Sequence, residues 1–233
     1  MKWYDTCLKI LAGVGILLTT SAQTTYMPKN AITYIPVLKE EISQTWPEIS
    51  QPQDLAGQVE QETCISLKWP SCWNPHTELK TSREYGFGLG QLTITSQFNN
   101  FTALQKLNDH TIKTWKWENR YDPSFQLRAL IDMDLVDYKY FRNIGATDTD
   151  QLAFMFSAYN GGVGGLLEDI RYCQALPNCN HQIWFNNVSS NSLKAKTAIR
   201  GYGESFFQIN RDYVNNILTI RSEKYSSFFD EYP

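Results

Sequence analysis

The chain has 233 residues, 42% of them hydrophobic and 14% aromatic. That is enough to bury a sizeable core in one medium domain, and it excludes disorder as the main state. Twenty-one basic residues against 24 acidic ones give a net charge of −3 with no basic cluster, which argues against a nucleic-acid binder, a role that needs concentrated positive surface.

Residues 1–22 begin with a head containing Lys2 and Lys9, run through a short apolar stretch from Ile10 to Leu18, and end on the small residues Thr20, Ser21 and Ala22. This is the pattern of an export signal with its cleavage site. The apolar stretch falls well short of the ~20 residues that span a bilayer. The alternative is an uncleaved anchor, with membrane association through residues 8–22; it would have to accommodate Gly13 and Gly15. A buried core helix fits least, because no amphipathic pattern accompanies the stretch. Cleavage after Ala22 removes Lys2, Lys9 and Asp5 and leaves 19 basic and 23 acidic residues, net −4. The expected location is the periplasm or cell envelope.

Cys7 belongs to the leader, and Cys64, Cys72, Cys173 and Cys179 remain as two close pairs. Four cysteines allow three pairings and spacing does not choose among them. Cys64–Cys72 and Cys173–Cys179 are favoured, since Trp69-Pro70 and Pro177-Asn178 put turn formers inside each loop. Zinc would call for CxxC-like spacing or paired histidines, and His76, His110 and His181 are scattered.

Helical patterns dominate the remainder. Residues 35–46 carry apolar side chains at helical spacing up to Pro47, and 53–66 read as a second helix with Asp54 near its start. The stretch 70–95, rich in Pro, Asn and Gly, reads as irregular. Asp122-Pro123 opens a long, centrally buried helix over about 124–141. The run 151–159 is open between strand and buried helix, and Tyr213 to Ile220 mark a last helix. The expected fold class is mainly α in a single domain, with an irregular loop region beside a cleft.

On the second helix, at 100° per residue, Leu55, Val59 and Glu62 fall within about 60° of one another, whereas Glu60 points about 160° away from Glu62. Glu62 therefore sits on the apolar stripe, where lost hydration raises a carboxyl pKa towards neutrality, as a general acid for glycosidic cleavage requires. A helix-end acid that merely interrupts the stripe is the competing reading. Glu60 reads as a solvated face residue.

Around Glu62 the motifs come in a fixed order. Glu62-Thr63 is followed by Asn74-Pro75, Gly86-Phe87-Gly88-Leu89-Gly90-Gln91, Ala158-Tyr159-Asn160-Gly161-Gly162, and finally Arg211-Asp212-Tyr213-Val214. Over residues 53–220 this series resembles the lytic transglycosylases of the soluble-lytic-transglycosylase type, relatives of goose-type lysozyme. The resemblance implies a lysozyme-like fold and cleavage of the MurNAc–GlcNAc β-1,4 bond of peptidoglycan with a 1,6-anhydromuramoyl product. It makes Glu62 the catalytic acid/base. Thr63, in place of the usual serine, Gln91, Tyr159, Asn160 and Tyr213 become substrate-binding or site-supporting residues. It implies no metal and no organic cofactor, and glycan strands as the partner.

The three alternate glycines would let the backbone pass close to a glycan. A phosphate loop is the weaker reading, since Gln91 stands where a third motif glycine would be. Gly161, Gly162, Gly164 and Gly165 are expected to permit a tight helix–helix join. The chain departs from the family in a longer interval between Glu62 and Asn74, bracketed by Cys64 and Cys72. It departs again in having Ile209 where a late glutamate is common. Glu84 is the nearest second carboxyl but matches no catalytic position.

The layout read from the sequence is a leader at 1–22, an extension with a helix at 23–52, the catalytic domain at 53–222 and a tail at 223–233. Alternatives to the transglycosylase are a hydrolytic muramidase on the same fold and a non-catalytic peptidoglycan-binding component of a lysis, secretion or injection apparatus.

Overall fold

A computed structural model of the protein describes residues 26–64, 68–194, 196–198 and 203–230. The export-signal or anchor reading of residues 1–22 lies outside the described residues. The fold is mainly helical and forms a single domain, as expected.

Helix α1 (Lys29–Thr45) starts six residues earlier than the sequence pattern indicates and takes Pro36 into its interior. An interior proline costs a helix about 3 kcal/mol. Here Ala31, Ile35, Leu38 and Ile42, each at most 1% exposed, form a continuous buried stripe that offsets it. The segment read as an extension is thus part of the main core, and α1 packs along the central helix α5 (Pro123–Phe141). The N-terminus of α5 is set by Pro123 at the first turn and by the Asp122 carboxylate, which accepts from the Ser124 amide at 3.0 Å.

The ambiguous run 151–159 is helical, within α6 (Asp148–Gly161), which is capped by the Thr147 hydroxyl and lies against α5 on its other flank. Its residues Leu152 to Ala158 are all buried, so the periodicity is lost because the helix is surrounded. Gly162, at φ +77°, breaks the chain into α7 (Val163–Gln174). Of the four glycines expected at this join, Gly164 has open space around it and is not needed for close approach.

The stretch 70–95 is not irregular throughout. It holds a three-stranded antiparallel sheet, β1 (Glu78–Lys80), β2 (Glu84–Phe87) and β3 (Leu92–Thr95), with Lys80 opposite Tyr85 and Tyr85 opposite Ile94. Strands of three or four residues are too short for alternation to show in the sequence. The sheet covers a small second core in which Phe87 and Leu92 meet Leu104 of α3 (Asn100–Leu104), Ile112 of α4 (His110–Thr114), Trp115 and Ala129.

Helix α2 (Gln53–Thr63) ends three residues before the expected boundary, where Cys64 turns extended. Helix α8 (Phe206–Asn215) starts from the Ser205 cap and continues as a widened turn over Asn216–Arg221 and a 3-10 turn over Glu223–Phe228. The two disulfides are Cys64–Cys72 and Cys173–Cys179, the favoured pairing. They fit an oxidising, exported compartment. Among the described residues no helix is long and apolar enough to cross a membrane.

Glu60 is not solvated. It is fully buried and held by Arg221 Nη1 at 2.8 Å, by Lys224 Nζ at 2.8 and 2.9 Å, and by the Tyr225 hydroxyl at 2.5 Å. The face opposite Glu62 is covered by residues 221–225, which no reading of α2 alone reveals. Gly57 on α2 makes that packing close: a Cβ there would lie 2.7 Å from Ser222 Oγ. Removing one partner of a buried ion pair strands the others and costs about 3–5 kcal/mol. Glu60→Ala is therefore expected to lower the unfolding free energy by about that amount, checked by urea denaturation at neutral pH.

Candidate active site

Helix α2 delivers Glu62 to a cleft of about 900 Å³. One wall comes from the loop after α2 and the β-sheet, the other from the end of α6 and the start of α8. Glu62, Thr63, Gln91, Tyr159 and Asn160, spread over almost a hundred residues of sequence, all line it.

Glu62 is half-buried. Its Oε1 accepts from the Tyr213 hydroxyl at 2.5 Å. Burial raises its pKa from 4.5 to about 7, an effect that the Tyr213 hydrogen bond partly opposes by favouring the ionised form. The carboxyl thus holds a proton near neutrality. Below it, Gln58 on α2 donates to the fully buried Asp134 of α5 at 3.2 Å. Burial pushes the Asp134 carboxyl well above its ordinary value.

Tyr213 belongs under the acid. It is only 4% exposed and does not line the cleft, so its function is to hold Glu62 and not to touch a ligand. Its ring lies parallel to that of Tyr159, with centroids 6.4 Å apart. The Tyr159 hydroxyl donates to the Gly90 carbonyl at 2.5 Å and so pins α6 to the β2–β3 turn.

Asn160 is exposed at the cleft, and its Oδ1 accepts from Asn210 Nδ2 at 3.2 Å. That leaves the Asn160 amide nitrogen to donate to a ligand. Gln91 has its nitrogen committed to the carbonyls of Gly88 (2.8 Å) and Thr77 (3.2 Å), with a backbone φ of +44°. Only its carbonyl oxygen remains for a ligand. The Thr63 hydroxyl is consumed within the chain: it donates to Val59 O at 2.6 Å and accepts from the Trp73 amide at 2.8 Å. Thr63 therefore anchors the following loop, and its hydroxyl is not a ligand contact.

The glycines of the 86–91 segment answer mainly to the protein. A Cβ on Gly88, which has φ +77°, would lie 2.5 Å from the Gln126 side chain, and one on Gly90 would lie 3.0 Å from the Tyr159 hydroxyl. Gly86 is the one of the three that lines the cleft.

Asn210 is absent from the sequence-derived set although it organises this wall. It accepts from the Ser157 hydroxyl at 2.9 Å and from Arg211 Nη1 at 2.8 Å, and donates to the Ser157 carbonyl at 2.9 Å. Arg211, itself buried, pairs with buried Asp169 at 2.9 Å. The available signal was its place three residues before Tyr213, on the same helical face. Glu78, Glu84 and Lys194 also line the cleft, with Lys194 tied to Asp169. Among the described residues no group of three or more His, Cys, Asp and Glu side chains is arranged to hold a metal.

No model of a known protein family matches the chain, and no curated protein matches it. The geometry itself offers one protonated carboxyl in a polar-rimmed cleft, with amide groups close by. Removing the phenol's hydrogen bond would disfavour the carboxylate further. Tyr213→Phe is expected to raise the Glu62 pKa above about 7, measured by carbon-13 NMR titration of the glutamate carboxyl signals.

Proposed function

We propose that the protein cleaves the MurNAc–GlcNAc β-1,4 bond of peptidoglycan by lytic transglycosylation, with Glu62 as the sole general acid/base. The observation that carries this reading is the proton-holding Glu62 in the cleft, backed by Tyr213 and flanked by Gln91, Tyr159 and Asn160. These are residues of the ordered motif series that resembles the lytic transglycosylases.

Two-carboxyl glycosidases hold a second acid across the scissile bond. Here Ile209 stands where a late accessory glutamate would be, and it faces the cleft. One carboxyl suffices if the substrate supplies the rest. Tyr213 occupies Oε1, so Oε2 carries the transferable proton to the leaving glycosidic oxygen. The N-acetyl group of the muramic acid stabilises the developing cation at the anomeric carbon, and Asn160 is placed to bind its carbonyl. Ionised Glu62 then takes the proton of the muramic-acid 6-hydroxyl, whose oxygen attacks the anomeric carbon. The attacking group is tethered to the ring it closes on, which gives it a high effective concentration. No water is consumed, and Glu62 ends protonated as it began.

The same sequence sets the pH dependence. The free enzyme must carry the proton on Glu62, whose pKa is about 7. Activity is full below that value and is lost above it. The expected kcat/KM profile falls on the alkaline side with an apparent pKa near 7, measured on purified sacculi. Mass spectrometry of the released fragments should show 1,6-anhydro ends, with Glu62→Gln reducing release at least about 100-fold. Products heavier by one water would point to muramidase hydrolysis instead, and a fully active Glu62→Gln would remove this acid from the mechanism.

A further inference from the structure

Trp69 is a large aromatic side chain left 52% exposed on the rim of the cleft, where it lines the same cavity as Glu62 and Asn160. An exposed indole is costly surface to leave in water, yet the backbone from Trp69 to Trp73 is tied down at several points. Its loop is closed by the Cys64–Cys72 disulfide. Ser71 Oγ donates to Thr63 O at 2.9 Å, the Trp73 amide donates to Thr63 Oγ1, and the Cys72 amide donates to Trp69 O at 3.0 Å. From outside, Asn30 Nδ2 holds Cys72 O at 2.9 Å and Thr77 Oγ1 holds Ser71 O at 2.7 Å. The neighbouring Lys68 turns away, its ammonium 5.9 Å from the Tyr26 ring. A rigid mount for an uncovered aromatic face, beside a polar cleft, is a preorganised binding surface.

We propose that Trp69 is a glycan-stacking platform, its indole face receiving the C–H face of an N-acetylhexosamine ring away from the bond being cleaved. This rests on the reading of the cleft as a peptidoglycan site and adds a contact within the insertion that separates the chain from the family pattern. A pyranose ring presents axial C–H groups on its faces and hydroxyls around its edge. It can cover an indole while the rim carboxylates Glu78 and Glu84 meet its polar edge. The disulfide serves the platform by anchoring Cys72, whose amide donates to Trp69 O, before sugar arrives, so less ordering entropy is lost on binding. Because the contact is remote from the reacting atoms and equal in ground and transition states, it acts on KM and leaves kcat nearly untouched.

The test uses the Glu62→Gln protein, which keeps the cleft without turnover, and the β-1,4 hexamer of N-acetylglucosamine as the probe. Calorimetry should show Trp69→Ala weakening hexamer binding about 3- to 10-fold, with Trp69→Phe recovering most of the loss. Tryptophan emission of the Glu62→Gln parent should shift to the blue on binding, and that shift should disappear in Trp69→Ala. With active enzyme on sacculi, Trp69→Ala should raise KM by a similar factor. Equal affinity in parent and Trp69→Ala overturns the platform and leaves the proposed reaction standing, and would turn attention to a protein partner for the indole. A parent that binds no hexamer overturns the platform and the cleft reading together. Hexamer binding that depends on Trp69, without anhydro products from the active enzyme, overturns the reaction alone.

Discussion

The site depends on one asymmetry of α2: two carboxyl side chains, two residues apart, are forced into opposite electrostatic situations. Glu60 is buried with two cations and a phenol, while Glu62, on the other face, has among the described residues a phenol and no cation as hydrogen-bond partner. A carboxyl desolvated with only a neutral donor beside it is pushed towards keeping its proton, and that is the situation of Glu62. The ion-paired cluster on the back of the helix clamps α2, and the lone group on the front faces the cleft, where the proposed reaction needs a proton.

That clamp is built from the end of the chain. Residues 221–225 close on Glu60, and Tyr225 accepts from the indole nitrogen of Trp73 at 3.0 Å. Trp73 in turn places its amide on Thr63. The C-terminal turns, the disulfide loop and the last residue of α2 therefore form one hydrogen-bonded unit behind the cleft. The widened turn at Asn216–Arg221 brings Ser222 against Gly57, where a side chain on the helix has no room. A stretch with the composition of a surface tail is in this way a structural part of the site's rear wall.

How much of this could be read in advance follows from the range of each interaction. Helical spacing separated Glu62 from Glu60, found α5 from its Asp-Pro start and paired the cysteines through their short loops, because these are local relations. It misjudged Glu60 because the three groups that neutralise it lie 161 to 165 residues away. It left 151–159 undecided because α6 is buried all round and periodicity needs a wet side. The sheet escaped notice because its strands are four residues or fewer. The protein partners of Thr63, Gly88 and Gly90, namely the Trp73 amide, the Gln126 side chain and the Tyr159 hydroxyl, could not be read from the sequence because they are tertiary. In each case a residue type suited to sugar contact was also suited to holding the wall.

The same distinction orders the site by distance from the chemistry. Tyr213, Asn210, Thr63 and the Glu60 cluster make their hydrogen bonds to the chain itself and act on the cleft by holding other groups still. Glu62, Asn160, Gln91 and Trp69 keep a face or an atom for the cavity. The first group is buried and stiff, and the second is half-open but mounted on the first. Preorganisation of that kind is what a single-carboxyl mechanism demands. In the proposed reaction Glu78 and Glu84 on the rim take no part in the proton transfer, so the Oε2 proton must already point at the leaving oxygen when the sugar settles. The hydroxyl of Tyr213 on Oε1 restrains that orientation, and the hydrogen-bonded rear wall holds the helix that carries it.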